Sequence, residues 1–249
     1  MTADTVVVDE SQDWVGACEV QERFMEVPCA KTQTLMYSGR CRQMRSLGGD
    51  CFDFLPLPGR RVALTVADAS GKGLPAALIM ANVQSSLRTA ALFAPDNVAA
   101  VVTAVNSQLH ASSPANRYAT LFYGVFDGAT RMLRYVNAGH NPPMVIRRDG
   151  SMTWLETGGA PVGMFPDSTY GEGAVQLNPR DLLLAYTDGV TETVNPAGEE
   201  WGVEGLRRAA AESDAQCADD LVDAIFSSMD EFSRGRQTDD ATVLALRVH

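Results

Sequence analysis

Aspartates stand where apolar runs begin or end, and that placement narrows the folds open to this chain. Asp68 follows "VALTVA" and precedes "ASGKG", and Asp188 follows "LLLAYT" and precedes Gly189. Asp239 and Asp240 come immediately before "ATVLAL", and Asp50, behind Gly48 and Gly49, leads into "CFDF". One Asp-Gly pair alone reads as a turn, because aspartate bonds its neighbouring backbone and glycine accepts a positive φ. Repetition along almost the whole chain asks for more. If these strands are neighbours in the sheets, their ends bring the carboxylates to one rim. Such a cluster repels itself unless positive charge neutralises it. Oxygen-only ligation suits Mg²⁺ or Mn²⁺. Two such ions sharing a bridging carboxylate would activate a water and clamp a phosphoryl oxygen.

The bulk properties agree and exclude other classes. A chain of 249 residues can bury a sizeable core as one large domain or two small ones. The net charge of -11 argues against nucleic acid, whose binders need cations to displace counterions from phosphates. The five cysteines, Cys18, Cys29, Cys41, Cys51 and Cys217, are odd in number and form no C-x-x-C pair, which points to free thiols rather than structural zinc. No apolar run approaches the ~18 residues of a membrane span. "MTADTVVVDESQDW" is acidic and lacks the features of a signal peptide. The expected compartment is the cytoplasm, with neither membrane nor nucleic acid as partner.

Along the chain, residues 1–15 read as a loose polar tail. "ACEVQERFMEV" reads as a helix with Val20, Phe24 and Val27 at helical spacing, ended by Pro28. The Gly- and Arg-rich stretch from Tyr37 to Asp53 has room for a short strand. "RVALTVADAS" alternates as a strand, and a long helix follows with Pro75 in its first turn. A second helix starts at Asp96 or Asn97. The middle, "YATLFYGVFD", "MLRYVNAG", "PMVIRRDG" and "SMTWLET", reads as antiparallel strands joined by hairpins. Two further strands flank an Asn-Pro turn before Asp188, then come two helices and a last strand. The fold class expected is α+β, with sheets packed between helices. A doubly wound parallel sheet fits less well, because short turns join too many of the strands.

Two other groups are candidates. His140, in "NAGHNPP", is either a general acid or ligand, or a structural hydrogen-bonder in a turn. Gly71 and Gly73 expose backbone amides at a helix N-terminus, where Lys72 either meets a phosphate or faces solvent. The full P-loop pattern is absent.

The stretches "LGGDCFDF", "RVALTVADASGKGLPAALIMA", "YATLFYGVFD", "LRYVNAGHNPPMVI", "GGAPVGMF", "LLLAYTDGVTE" and "TDDATVLAL", in this order, resemble the bacterial serine/threonine phosphatases typified by stage II sporulation protein E and the RsbU regulators. These belong to the metal-dependent (PPM, protein phosphatase 2C-like) superfamily, and the resemblance runs from about Glu19 to the C-terminus. It implies a four-layer α-β-β-α sandwich of two mainly antiparallel sheets, two Mn²⁺ or Mg²⁺ ions, and hydrolysis of phosphoserine or phosphothreonine on a protein. It assigns metal ligation to Asp50, bridging Asp68, the Ala69 carbonyl, Asp188 and Asp239. Asp240 is then a neighbour, Asp53 a supporting carboxylate, and Gly189 the residue that turns the chain away from the metals. Lys72, Arg40, Arg42 and Arg45 are the candidates for holding the phosphate. The implied domains are a tail over 1–15, a linker or regulatory helix with lead-in over 16–36, and the phosphatase domain over 37–249. The implied partner is a phosphorylated regulatory protein, a STAS-type anti-sigma-factor antagonist, with control by an activator protein, by homodimerisation through the N-terminal helix, or by a domain outside this sequence. Cys51 stands where relatives commonly have an aromatic residue. A catalytically silent binding relative and a hydrolase of small phosphate esters are the alternatives.

Overall fold

The computed structural model describes residues 10–26, 30–32, 34–213, 215 and 217–249. The chain opens with α1 (Glu10–Met25), β1 (Ala30–Lys31), β2 (Leu35–Arg42), β3 (Asp50–Leu57) and β4 (Arg61–Ala69). Two helices follow, α2 (Leu74–Phe93) and α3 (Val98–Ser112), and then β5 (Ala119–Asp127), β6 (Met132–Ala138), β7 (Met144–Ile146) and β8 (Met152–Trp154). The last third holds β9 (Gly158–Gly159), β10 (Gly173–Gln176), β11 (Leu182–Tyr186), α4 (Asp188–Thr191), α5 (Gly202–Glu212), α6 (Ala218–Ser233) and β12 (Ala241–Val248). One sheet runs β1-β2-β12-β11-β7-β8, and the other runs β10-β6-β5-β4-β3 with β9 beside β6. All pairings are antiparallel except β6 with β9.

The period-2 alternation of β4 shows how the layers stack. Val62, Leu64 and Val66 lie between the sheets with Phe122, Phe126, Leu244 and Leu246. Ala63 and Ala67 point the other way, into a core shared with Met80, Val83 and Leu87 of α2 and Val101 and Val105 of α3. On the opposite sheet, Leu184, Tyr186, Val243 and Ala245 pack under Leu206 of α5 and Leu221, Ile225 and Phe226 of α6. The architecture is the α-β-β-α sandwich that the motifs implied. Pro75 sits in the first turn of α2, where its missing N–H costs no helical bond, and Asn97 caps α3 by accepting from the Ala100 amide at 2.9 Å.

Several local expectations need correction. Helix α1 begins at Glu10, inside the stretch read as a tail. Gly16 weakens the helical pattern there, but a helix anchored further along propagates through residues that hold no proline. The stretch from 1 to 9, Val27, Pro28 and Cys29 lie outside the described residues. Strand β2 starts at Leu35, and the Gly- and Arg-rich segment forms two strands, β2 and β3, instead of one short strand. Full-length pairing with β12 and β4 supplies the hydrogen bonds that its composition obscures. Residues 139–143 join β6 of one sheet to β7 of the other, so the hairpin expected between those two strands is absent, and the Asn-Pro turn likewise joins β10 and β11 across the two sheets. Among the described residues Cys18, Cys41, Cys51 and Cys217 are free thiols, and no helix is long and apolar enough to cross a membrane.

Phe122, fully buried between the sheets, and Phe93, 87% exposed at the end of α2, set a contrast. Phe122→Ala is expected to lower unfolding free energy by about 3–5 kcal/mol in a denaturant titration. Phe93→Ala should change it by no more than about 0.5 kcal/mol.

Candidate active site

Register brings the first two aspartates together. In the β3–β4 ladder Asp50 lies directly opposite Asp68. Phe52 and Phe54 of β3, and Leu64 and Val66 of β4, face the space between the sheets. Alternation therefore places both carboxylates on that same face, at its rim. Like charges directly opposite one another destabilise a strand pair. The facing sheet supplies the first compensation. Thr187, at the end of β11, and Thr242, in β12, both donate their hydroxyls to Asp50 Oδ2, at 2.6 and 2.7 Å. The Thr242 amide in turn donates to Thr187 Oγ1 at 2.9 Å. These bonds lock the ends of the two sheets together at Asp50, and Thr187 passes directly into Asp188, the first residue of α4.

Asp240 and Asp239 divide the labour. Asp240 accepts from the Met44 amide at 2.7 Å through Oδ1 and from the Gly49 amide at 2.8 Å through Oδ2, so its carboxylate holds the loop that carries Asp50. Asp239 Oδ2 accepts from Lys72 Nζ at 2.6 Å, and its Oδ1 accepts from the Asp240 amide at 2.9 Å. The Ala69 amide donates to Gly49 O at 2.9 Å, closing the same loop onto the end of β4.

The electrostatics record an excess of negative charge. Burial pushes the Asp50 carboxyl up to about 7, against the lowering effect of Thr187 and Thr242 and with repulsion from Asp240 and Asp188 adding to it. Asp68 is raised to about 8, first by burial and then by Asp50, Asp188, Asp239 and Asp240. Asp188 is raised by burial and by Asp239, and Glu192 by Asp188 and then burial. Among the described residues no group of three His, Cys, Asp or Glu side chains closes at metal-ligand spacing. The donors are nevertheless all hard oxygens in mutual repulsion. Mg²⁺-like ions keep several of their waters, so carboxylates and one carbonyl spread over two ions need no closed cage. The donor chemistry fits hard divalent cations.

Glycines make this convergence sterically feasible. A Cβ on Gly189 would stand 1.9 Å from Asp240 O, and one on Gly49 3.2 Å from Ala69 O. Gly189 is therefore required by the close approach of the Asp240 backbone. It lies within α4, so the chain enters a short helix there and the turn expected after Asp188 is absent.

Other expected residues go elsewhere. Asp53 faces α2, where Arg88 binds it at 2.6 and 3.1 Å, so it does not support the cluster. Arg40 pairs with Asp219 and Asp223, while Arg42 binds Asp230 at 2.7 Å and lies 4.3 Å over the Phe226 ring; both fasten α6 to β2. Arg45 is exposed near the N-terminus of α2, its Nη1 4.0 Å from where a Gly73 Cβ would stand. His140 is buried, with Nδ1 2.8 Å from Thr120 Oγ1 and its backbone amide donating to Asn137 Oδ1 at 2.8 Å, and burial lowers its pKa to about 4, which favours the neutral ring. Cys51 packs under α2. Thr187, Thr242 and Glu192 were not singled out from the sequence. Only Thr187 stands beside an aspartate in sequence, and the roles of Thr187 and Thr242 depend on Asp50, 137 and 192 residues away.

The raised carboxyls give a signed pH dependence. With folded values near 7 and 8 against an ordinary 3.8, the metal-free folded chain holds protons that the unfolded chain releases. The contribution of these groups to stability is complete below 3.8 and is lost as pH rises through 7 and 8. In chelator, Asp68→Asn should therefore be more stable than wild type at pH 8, by about 1–3 kcal/mol, with the gain shrinking toward pH 5. Denaturant titrations at the two pH values measure the difference.

Residues 58–249 match the family model for stage II sporulation protein E, a span that holds Asp68, Asp188 and Asp239 and begins after Asp50. The chain is 26% identical to Protein IcfG of Synechocystis, over 97% of this chain and 43% of that protein. It is 24% identical to phosphoserine phosphatase RsbU of Bacillus subtilis, over 93% of this chain and 68% of that one. It thus spans less than half the length of the first of these relatives. The solved RsbU and RsbW domains of Rv1364c from Mycobacterium tuberculosis superpose with a TM-score of 0.76 at 28% identity, covering 91% of this chain and 62% of that one. The chain belongs to the stage II sporulation protein E family.

Proposed function

We propose that the chain is a metal-dependent protein serine/threonine phosphatase whose substrate is a phosphoseryl or phosphothreonyl side chain on a STAS-type regulatory protein. The observation that carries this reading is the meeting of Asp50, Asp68, Asp188 and Asp239 at one sheet rim with the first three carboxyls raised. The relative named phosphoserine phosphatase RsbU supports the reaction, and the pairing of RsbU and RsbW domains in the mycobacterial protein supports a regulatory phosphoprotein as substrate. Asp50 and Asp68 would hold one Mn²⁺ or Mg²⁺, and Asp68, the Ala69 carbonyl, Asp188 and Asp239 the other. When bound, the ions supply an acidified water and positive charge beside the phosphoryl oxygens.

The protein's own groups do the rest. Thr187 and Thr242 hold Asp50 Oδ2, which leaves Oδ1 for ligation. Lys72 and Arg45, at the N-terminus of α2, are the cations placed to orient the phosphate, since Arg40 and Arg42 are committed to α6. All four aspartates are present, which favours an active enzyme over a silent relative.

Phosphate release from a phosphoserine STAS domain, followed across a Mn²⁺ titration, tests the proposal. Turnover should rise with Mn²⁺ and fall about 100-fold or more in Asp68→Asn. Arg45→Ala should raise KM more than Arg40→Ala does. Turnover independent of Mn²⁺ or indifferent to Asp68→Asn would refute the assignment.

A further inference from the structure

The carbonyl of Ala69 is set apart from its ladder. Asp50 lies opposite Asp68, so the next pair outward is Gly49 and Ala69. A hydrogen-bonded antiparallel pair exchanges two N–H···O bonds. Here the Ala69 amide makes one of them, donating to Gly49 O at 2.9 Å. The Gly49 amide, which would return the second bond to Ala69 O, donates to Asp240 Oδ2 at 2.8 Å instead. The sheet therefore brings the Ala69 carbonyl to the rim and leaves its direction to the chain that follows.

Ser70 comes next, and its three polar groups are all held by the two residues that lead into β5. Its amide donates to Tyr118 O at 2.9 Å, its Oγ accepts from the Tyr118 amide at 3.1 Å, and its carbonyl accepts from Arg117 Nη1 at 2.9 Å. In a trans peptide the C=O points opposite to the N–H that shares its plane. With the Ser70 amide aimed at β5, the Ala69 carbonyl is turned toward β3, where a Cβ on Gly49 would stand 3.2 Å from it. Tyr118 thus fixes the peptide before Ser70, and Arg117 fixes the one after it. That second peptide leads into Gly71, whose φ of 100° suits glycine and strains other residues. Gly71 also leaves the room that the guanidinium fills, because a Cβ there would collide with Arg117 Nη1. A turn built on Gly71 and Gly73 is set by what binds its peptide groups, and Arg117 is itself anchored, its amide donating to Pro114 O at 2.9 Å.

We infer that Arg117 is a positioning residue, which locks the Ser70–Gly71 peptide through the Ser70 carbonyl and so keeps the Ala69 carbonyl facing Asp50 for metal. The inference rests on the reading of the Ala69 carbonyl as a metal ligand. The sign of the effect separates this role from charge alone. A cation beside the rim repels a metal ion, so loss of its charge by itself would tighten metal binding. Loss of the bond to Ser70 loosens a ligand and weakens binding, characteristically by about 10–100-fold.

Calorimetric titration of the full chain with Mn²⁺ compares wild type, Arg117→Met and Arg117→Lys. Affinity should fall about 10-fold in Arg117→Met. Arg117→Lys, which keeps a cationic donor for the Ser70 carbonyl, should recover most of the loss. Amide exchange over residues 70–72 should be faster in metal-free Arg117→Met than in metal-free wild type. Affinity in Arg117→Met equal to that of wild type, or tighter, overturns the inference and leaves the functional reading standing. If Arg117→Met does not fold, Gly71→Ala, whose Cβ displaces the same guanidinium, carries the test, and wild-type affinity in it overturns the inference. A wild-type chain that binds no Mn²⁺ overturns the functional reading, and this inference with it.

Discussion

Asp50 and Asp68 oppose one another across the β3–β4 ladder, and the whole acidic rim is organised around that pair. Two carboxylates at facing positions of a strand pair are unfavourable, and burial makes them more so. The fold tolerates the pair because the other sheet brings two threonine hydroxyls onto one oxygen of Asp50. Those hydroxyls come from the end of β11 and from β12, so the stacking of the sheets and the assembly of the acidic rim are one event. The large apolar core between the sheets, with Phe122, Phe126, Leu64 and Leu246, holds this arrangement in place against its own repulsion.

Small residues let the backbones approach closely enough for the rim to form. Gly189 admits the Asp240 carbonyl, and Gly48 admits the Asp240 side chain, whose two oxygens then hold the Met44 and Gly49 amides. The same closeness leaves the loop before Asp50 dependent on side chains from outside it. Gln21 of α1 is one of these, its buried amide bonding both polar groups of Gly48.

Positive charge is scarce in a chain of net charge -11, and the fold distributes it sparingly. Arg88 neutralises Asp53 beneath α2, and Arg40 and Arg42 join α6 to β2. Each of these arginines stitches a helix to a sheet. At the rim, Lys72 meets Asp239 and Arg45 stands nearby, which leaves the carboxylates there well in excess of cations.

Much of this was legible in the sequence, because alternation and turn chemistry are local. The strand over Arg61–Ala69, the long helix with Pro75 in its first turn, the Asn97 cap and the aspartates at strand ends all follow from short-range rules. The start of α1 and the extent of β2 and β3 did not, since glycines and arginines mask a pattern that packing and sheet pairing restore. The side of the sheet on which each acid lies came from the packing of the layers. Parity alone separates Asp53, turned to Arg88, from Asp50, turned to the rim. The partners of Asp50 lie 137 and 192 residues away in sequence, and that of Gly48 lies 27 away on a helix. Local pattern was enough to say which residues can carry negative charge at strand ends. Which of them meet depended on the stacking of two sheets, because hydrogen bonds between distant segments rest on register and packing that no local pattern encodes.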